Sequence, residues 1–306
     1  MKFHHIITAS LIGVSAFMAY PQIATAIYNS EEGTLEHQIY QLKQENPSQA
    51  TYYLNQGLEK QKKGDYEGAI VDYTQAIKLG HNYARVYAGR GFVREKLRDY
   101  EGAIIDYTQA IKLDPSDAIT YILRGNSRYE LGNYEGAIVD STQAIKLDFD
   151  DAVAYFLRGK SRYKLGDYEG AITDFTQAIK LDPSNATAYG FRGTSRYQLR
   201  DYEGAIVDFT QAIKLDPSNA ENYRLRGIAR YKLGYYEGAI VDYTQAIKLD
   251  PSNAKIYHAR GLFRYDLGDY EGAIVDYTQA ANLFLEQGDM ERYQKVLQSI
   301  RQIRGR

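Results

Sequence analysis

The chain lacks cysteine and tryptophan altogether and carries only five histidines among its 306 residues. Without thiols there can be no disulfide framework, no thiolate metal site and no cysteine for lipid attachment. His4, His5, His37, His81 and His258 stand at no metal-ligand spacing, so no metal or cofactor is expected. An excess of charge of one sign is missing too. Lys and Arg number 37 against 39 Asp and Glu, a formal net charge of −2. That balance lacks the basic footprint that holds nucleic acid or an anionic membrane surface. No strand-like alternation precedes a glycine-rich loop, so no phosphate cradle is present. The carboxylates recur as helix caps and surface charges, not as one unique pair suited to acid–base work. No catalytic residue is therefore assigned, and the chain is not read as an enzyme.

What is present is a repeat. Asp65-Tyr66-Glu67-Gly68-Ala69-Ile70 returns at Asp99, Asn133, Asp167, Asp201, Tyr235 and Asp269, each step 34 residues without insertion or deletion. A fixed period of this size means stacked supersecondary units, not one central core. Within the last unit, Ala254 to Tyr265 has helical apolar spacing, Gly268 breaks it, and Asp269 can cap the next helix. Tyr270, Ala273, Ile274, Tyr277 and Ala280 then mark one face of that second helix. Pro115, Pro183, Pro217 and Pro251 forbid the second helix from continuing in four other units. Each unit is helix, tight turn, helix, stop.

Counting each unit from its first alanine (Ala50, Ala84, Ala118, Ala152, Ala186, Ala220, Ala254), Tyr stands fourth, Gly eighth, Ala twentieth, Tyr or Phe twenty-fourth and Ala twenty-seventh. This resembles the tetratricopeptide repeat (TPR) over residues 50–287, in seven units: 50–83, 84–117, 118–151, 152–185, 186–219, 220–253 and 254–287. The departures are His81 and Phe149 for the loop Pro, Ser141 for the aromatic, and Arg98 and Arg200 for the turn Gly. The resemblance implies an all-α, right-handed superhelical solenoid of helix-turn-helix repeats. Ser141 leaves a small residue where the other copies place a ring, and Phe149, eight residues on, is expected to fold back toward that gap.

The ends differ from the array. Lys2 and two histidines precede an apolar run from Ile6 to Tyr20, followed by Ala24-Thr25-Ala26. This reads as a secretory signal over residues 1–26, and the run is short of the roughly 20 apolar residues of a membrane span. An exported location, the periplasm or another extracytoplasmic compartment, is expected; the alternative is a membrane anchor through residues 6–20. Residues 27–33 form a polar linker. Leu35, Ile39 and Leu42 project onto a lone second helix, residues 34–45, covering the first unit in a cap region 34–49. Met290, Tyr293, Val296, Leu297, Ile300 and Ile303 give the C-terminal segment 288–306 one apolar stripe, as a capping helix needs.

The copies differ mainly on their first helices. Positions 2, 5, 9 and 12 share one helical stripe, and in TPR arrays the first helices line the concave surface. The expected groove therefore takes in Ile119, Ile122, Leu123, Asn126 and Tyr129, then Phe156, Leu157 and Tyr163, then Phe191 and Tyr197, and toward the C-terminus Arg224, Tyr231, His258 and Tyr265. The alternative for the tyrosines at position 12 is copied packing between adjacent helices. The carboxylate clamp of some TPR co-chaperones, Lys at position 5 and Asn at position 9, is absent. A second ladder, Arg90, Arg124, Arg158, Arg192, Arg226 and Arg260, has an Asp 16 residues on in every case, which predicts a repeated ion pair across each hairpin. The resemblance implies a non-catalytic, exported scaffold for a protein or extended peptide, with complex assembly as one use. The alternative is the recognition subunit of a multi-chain enzyme whose catalysis sits on a partner. Nucleic acid is not an expected partner, and the membrane is one only if the signal stays uncleaved.

Overall fold

A computed structural model describes residues 49–305, so the expected signal, linker and N-terminal cap helix lie outside the described residues. Among the described residues every regular element is helical. They divide into two compact units between Leu165 and Gly166. The first unit holds α1 (Gln49–Lys62), α2 (Tyr66–Lys78), α3 (Ala84–Lys96), α4 (Tyr100–Leu113), α5 (Ala118–Glu130), α6 (Tyr134–Leu147) and α7 (Ala152–Lys164). The second holds α8 (Tyr168–Leu181), α9 (Ala186–Gln198), α10 (Tyr202–Leu215), α11 (Ala220–Lys232), α12 (Tyr236–Leu249), α13 (Ala254–Leu267), α14 (Tyr270–Glu286) and α15 (Met290–Arg304). Each unit is an all-α solenoid in which consecutive helices pack as hairpins. At the end of the second, Val296 and Ile300 of α15 are buried against Phe284 and Ala281 of α14.

The recurring hexapeptide makes the sharp start of each second helix. Asp65 Oδ1 accepts from Gly68 N–H at 3.0 Å, capping α2. Asp99, Asn133, Asp167, Asp201 and Asp269 cap their helices the same way. The glycine is needed because a Cβ on Gly68 would lie 2.3 Å from the capping carboxylate. Tyr235 has no carboxylate, and α12 starts without a side-chain cap. The turn before each cap is left-handed: Gly64, Gly132, Gly166, Gly234 and Gly268 take φ between +78° and +88°. Arg98 and Arg200 adopt it as well, at +62° and +64°, at a steric cost of roughly 1 kcal/mol or more each.

The core of a repeat is a ring lying on a glycine. A Cβ on Gly91 would come 2.8 Å from the Tyr107 ring, and one on Gly227 2.6 Å from that of Tyr243. Both rings are buried, as are Tyr73 and Phe209 at the equivalent place. In the third repeat Ser141 occupies it, donating its hydroxyl to Ala137 O at 2.8 Å. Phe149 does not fold back into this gap. It is 65% exposed, its ring edge-on to Tyr155. Leu157 fills the space instead: its Cδ2 would lie 3.2 Å from a Cβ on Gly125. A branched aliphatic chain from the next repeat thus replaces the missing ring.

The predicted ion pairs form, and they are larger than pairs. Arg90 grips Asp106 with Nε at 2.9 Å and Nη2 at 2.7 Å, while its Nη1 reaches Thr74 in the preceding repeat at 3.0 Å. Arg94, one turn on, donates to the same carboxylate at 2.8 Å and to Gly102 O at 3.1 Å. The arrangement returns at Asp140, Asp208, Asp242 and Asp276, all buried. The arginine at position 11 therefore shares the aspartate of its neighbour at position 7. Where Gln56 replaces that neighbour, Lys60 Nζ stands 2.8 Å from Asp72. Each Arg of the first ladder also lies over the tyrosine three residues before it, as Arg226 does over Tyr223 at 5.7 Å. The ladder stitches repeats together.

Candidate functional site: the faces of the first helices

In the first unit, half of the expected groove is core. Ile122, Leu123, Phe156 and Leu157 are only 2%, 4%, 3% and 0% exposed. They present no apolar surface to a partner, and the reason is the third repeat: with Leu157 drawn in over Gly125, α7 lies against α5. Asn126 is buried with them, while Ile119, Tyr129 and Tyr163 stay half-buried.

What this face does carry is polar and charged. Glu95, at the end of α3, accepts from Asn126 Nδ2 at 3.0 Å, Ser127 Oγ at 3.0 Å and the Tyr107 hydroxyl at 3.2 Å. Burial holds its carboxyl above the usual carboxylate range despite these donors. On α7, the Lys160 ammonium lies 4.2 Å from the centre of the Tyr129 ring and 6.0 Å from that of Phe156. Burial brings its pKa down to about 8, and burial likewise pushes Tyr129 up to about 12. An amine titrating there is shared between its two forms at neutral to mildly alkaline pH.

The second unit presents a different set. Phe191 stacks on Phe175 at 5.6 Å. Arg224 is clamped by Glu221 at 2.6 and 2.5 Å, and that bond chiefly raises its already high pKa. Tyr231 donates to Asp266 at 2.5 Å and stacks on Phe263 at 4.3 Å; the bond to Asp266 leads the causes that push its hydroxyl to about 12. The His258 ring stands 5.5 Å from Tyr277, with burial lowering its pKa. Tyr197 and Tyr265 remain half-buried. Four of the position-12 tyrosines lean on a tyrosine of their own hairpin, Tyr129 on Tyr134, Tyr197 on Tyr202, Tyr231 on Tyr236 and Tyr265 on Tyr270, at 5.3 to 5.5 Å. Packing thus uses one edge of each ring and leaves the other half-exposed.

Family models for the tetratricopeptide repeat match residues 156–220, 84–117 and 254–287, and one for the TPR repeat matches 57–97, 125–166 and 227–267. The chain belongs to the TPR family. Among solved structures, the fold of this TPR chain is similar to that of MamA, including the protein from Desulfovibrio magneticus RS-1 at 24% identity, over 56% of this chain and 96% of that one, with a TM-score of 0.54. It is also similar to YrrB, described as a TPR protein with an unusual peptide-binding site, at 22% identity, 63% and 97% coverage and a TM-score of 0.55. The C-terminal part of a TPR repeat-containing protein from Cytophaga hutchinsonii aligns at 18% identity over 75% of this chain and 95% of that chain, with a TM-score of 0.64. Comparison with curated protein sequences yields no match.

Within this TPR frame, Glu95, Ser127 and Lys160 are the site residues that sequence reasoning passed over. A signal existed for two of them. Glu95 stands at position 12, where five later repeats have Tyr, and Lys160 stands at position 9, where no other copy has a charge.

Proposed function

We propose that this TPR chain is a non-catalytic scaffold that holds an extended protein segment against its first helices, outside the cytoplasm. The observation that carries this reading is the division of labour between helices. Second helices are near-copies, with their Asp and aromatic residues spent on stacking; first helices differ, and the differences leave Tyr129, Glu95, Arg224, Tyr231 and His258 half-exposed. Tyrosine offers wide contact with a polar tip at small entropic cost, which suits a binding face. Export rests on the apolar run and small-residue site before Ala26. A photoreactive amino acid placed at Tyr129 or Tyr231 should capture a partner through an unstructured stretch of its chain. Val139 and Val241, exposed on second helices, should not. The reverse pattern would overturn the reading. For export, the mature chain recovered from an extracytoplasmic fraction should begin at Ile27; an intact Met1 in the cytoplasm would refute it.

A further inference from the structure

We propose that the first-helix face of the N-terminal unit selects a basic residue, an arginine of an extended protein segment, which seats between Glu95 and Asn126. The inference rests on the peptide-holding reading above and names the chemistry it selects. Glu95 accepts from three groups, and all of them are neutral: the Asn126 amide, the Ser127 hydroxyl and the Tyr107 hydroxyl. Lys96, next in the chain, acts on the carboxylate through space, with its ammonium 4.8 Å from the Phe92 ring centre. No ion pair to Glu95 forms among the described residues, in contrast to Asp106 and Asp140 of the stacking ladder, each held by two arginines.

The second observation is independent of that charge. Asn126 is 8% exposed, and its Oδ1 is buried with no hydrogen-bond partner. Its amide nitrogen is already committed to Glu95 Oε1 at 3.0 Å, so turning the amide over would set two acceptors against each other. Native proteins rarely leave a buried acceptor unpaired. Here one lies a side chain away from a carboxylate that forms no ion pair among the described residues. Both deficits are met by a single group that brings positive charge and several N–H donors in a plane. A guanidinium does so, because its fork can reach the carboxylate and the amide oxygen together; an ammonium offers a point charge and fits less well. Phe92 and Glu95 are half-buried, so the carboxylate keeps part of its surface open to solvent.

Fluorescence anisotropy of the full chain with a positional-scanning set of labelled, unstructured dodecapeptides tests this, with arginine, lysine, citrulline or glutamate at the varied position. At one position the arginine peptide should bind at least tenfold tighter than its citrulline counterpart, which keeps the shape and loses the charge, with lysine between them. Glu95→Gln, which keeps the size and the neutral contacts, should erase that preference and leave citrulline binding unchanged; Asn126→Leu should reduce it severalfold. Glu130→Gln, an exposed acid on α5, should leave it intact, which separates the seat from general attraction. Equal binding of arginine and citrulline peptides, or a preference that survives Glu95→Gln, overturns the inference while peptide holding stands. If no peptide in the set binds, this inference and the function proposed above fall together.

Discussion

Leu157 offers a quantitative test of how the repeats are joined. It is fully buried and takes the place that an aromatic ring holds in every other repeat, above Gly125 and beside Ser141. Leu157→Ala would remove a large group from a point where Gly125 and Ser141 are both small. The site cannot collapse onto the void, so the cost should fall in the upper part of the usual range, about 4 kcal/mol. Ser141→Tyr alone would push a ring into Leu157 and should cost about 1–3 kcal/mol by overpacking. The two changes together rebuild the pairing of Tyr243 with Ala259 farther along the array, so the double variant should be far better than the sum, with a coupling of at least about 2 kcal/mol. Because a repeat array opens locally, urea denaturation should be joined to hydrogen exchange of residues 118–164. Leu157→Ala should speed exchange there, and the added Ser141→Tyr should slow it again. Additive effects, or a cost for Leu157→Ala under about 1 kcal/mol, would mean that the joint is filled in some other way.

Arg124→Ala strips Asp140 of its two-pronged partner and leaves a buried carboxylate with Arg128 alone; urea denaturation should show a loss of about 3 kcal/mol, and a loss under about 0.5 kcal/mol would make the clamp a surface pair in effect. Arg98→Gly and Arg200→Gly each relieve a left-handed residue and should stabilise by roughly 1 kcal/mol, read from the urea midpoint; no gain would mean the arginines recover the strain through contacts of their own. Lys160 has a folded pKa of about 8, below the unfolded 10.5, so the unfolded chain binds more protons between those values and stability should rise as pH climbs through that window. The rise attributable to it, up to about 3 kcal/mol before relaxation, should vanish in Lys160→Met; parallel pH profiles of the two chains would contradict the assignment.

The repeat was legible because its causes are local and copied. The cap at Asp65, the left-handed Gly64 and the ring on Gly57 each depend on residues within one hairpin, and several copies state them again. The clamp of Arg90 on Asp106 was legible for the same reason, since folding the hairpin about its turn brings the two positions together. That the arginine one turn later shares the same carboxylate was not, because spacing alone does not say that Asp106 has room for two guanidinium groups. Leu157 was misplaced by an inference that is sound in most repeats: variation between copies marks the open face. It lies over Gly125 where Ser141 leaves no ring, although the same position is also leucine at Leu123 and Leu225, after an aromatic. The compensation follows no simple rule of size, since Leu123 follows Tyr107 and Phe191 follows Phe175, so comparing copies could not separate it from a binding residue.

Glu95 and Lys160 escaped for the opposite reason. Attention to apolar variation passes over a charge that replaces a tyrosine, although a charge put into a packed, repeated frame is the costlier change. Burial raises the Glu95 carboxyl and lowers the Lys160 amine, so both are held against their charged forms by the same face. Stacking has its own buried charges, and those are answered by a cation within the hairpin, as Asp242 is by Arg226 and Arg230 and Asp72 by Lys60. Glu95 is hydrogen-bonded by neutral donors alone, on a helix whose other copies manage without a carboxylate there. A residue that costs stability and that the repeat does not need is explained by a demand from outside the repeat. On the seat proposed above, selection for a partner falls at the exceptions between copies, on α3, α5 and α7, and not along the apolar stripe those helices share.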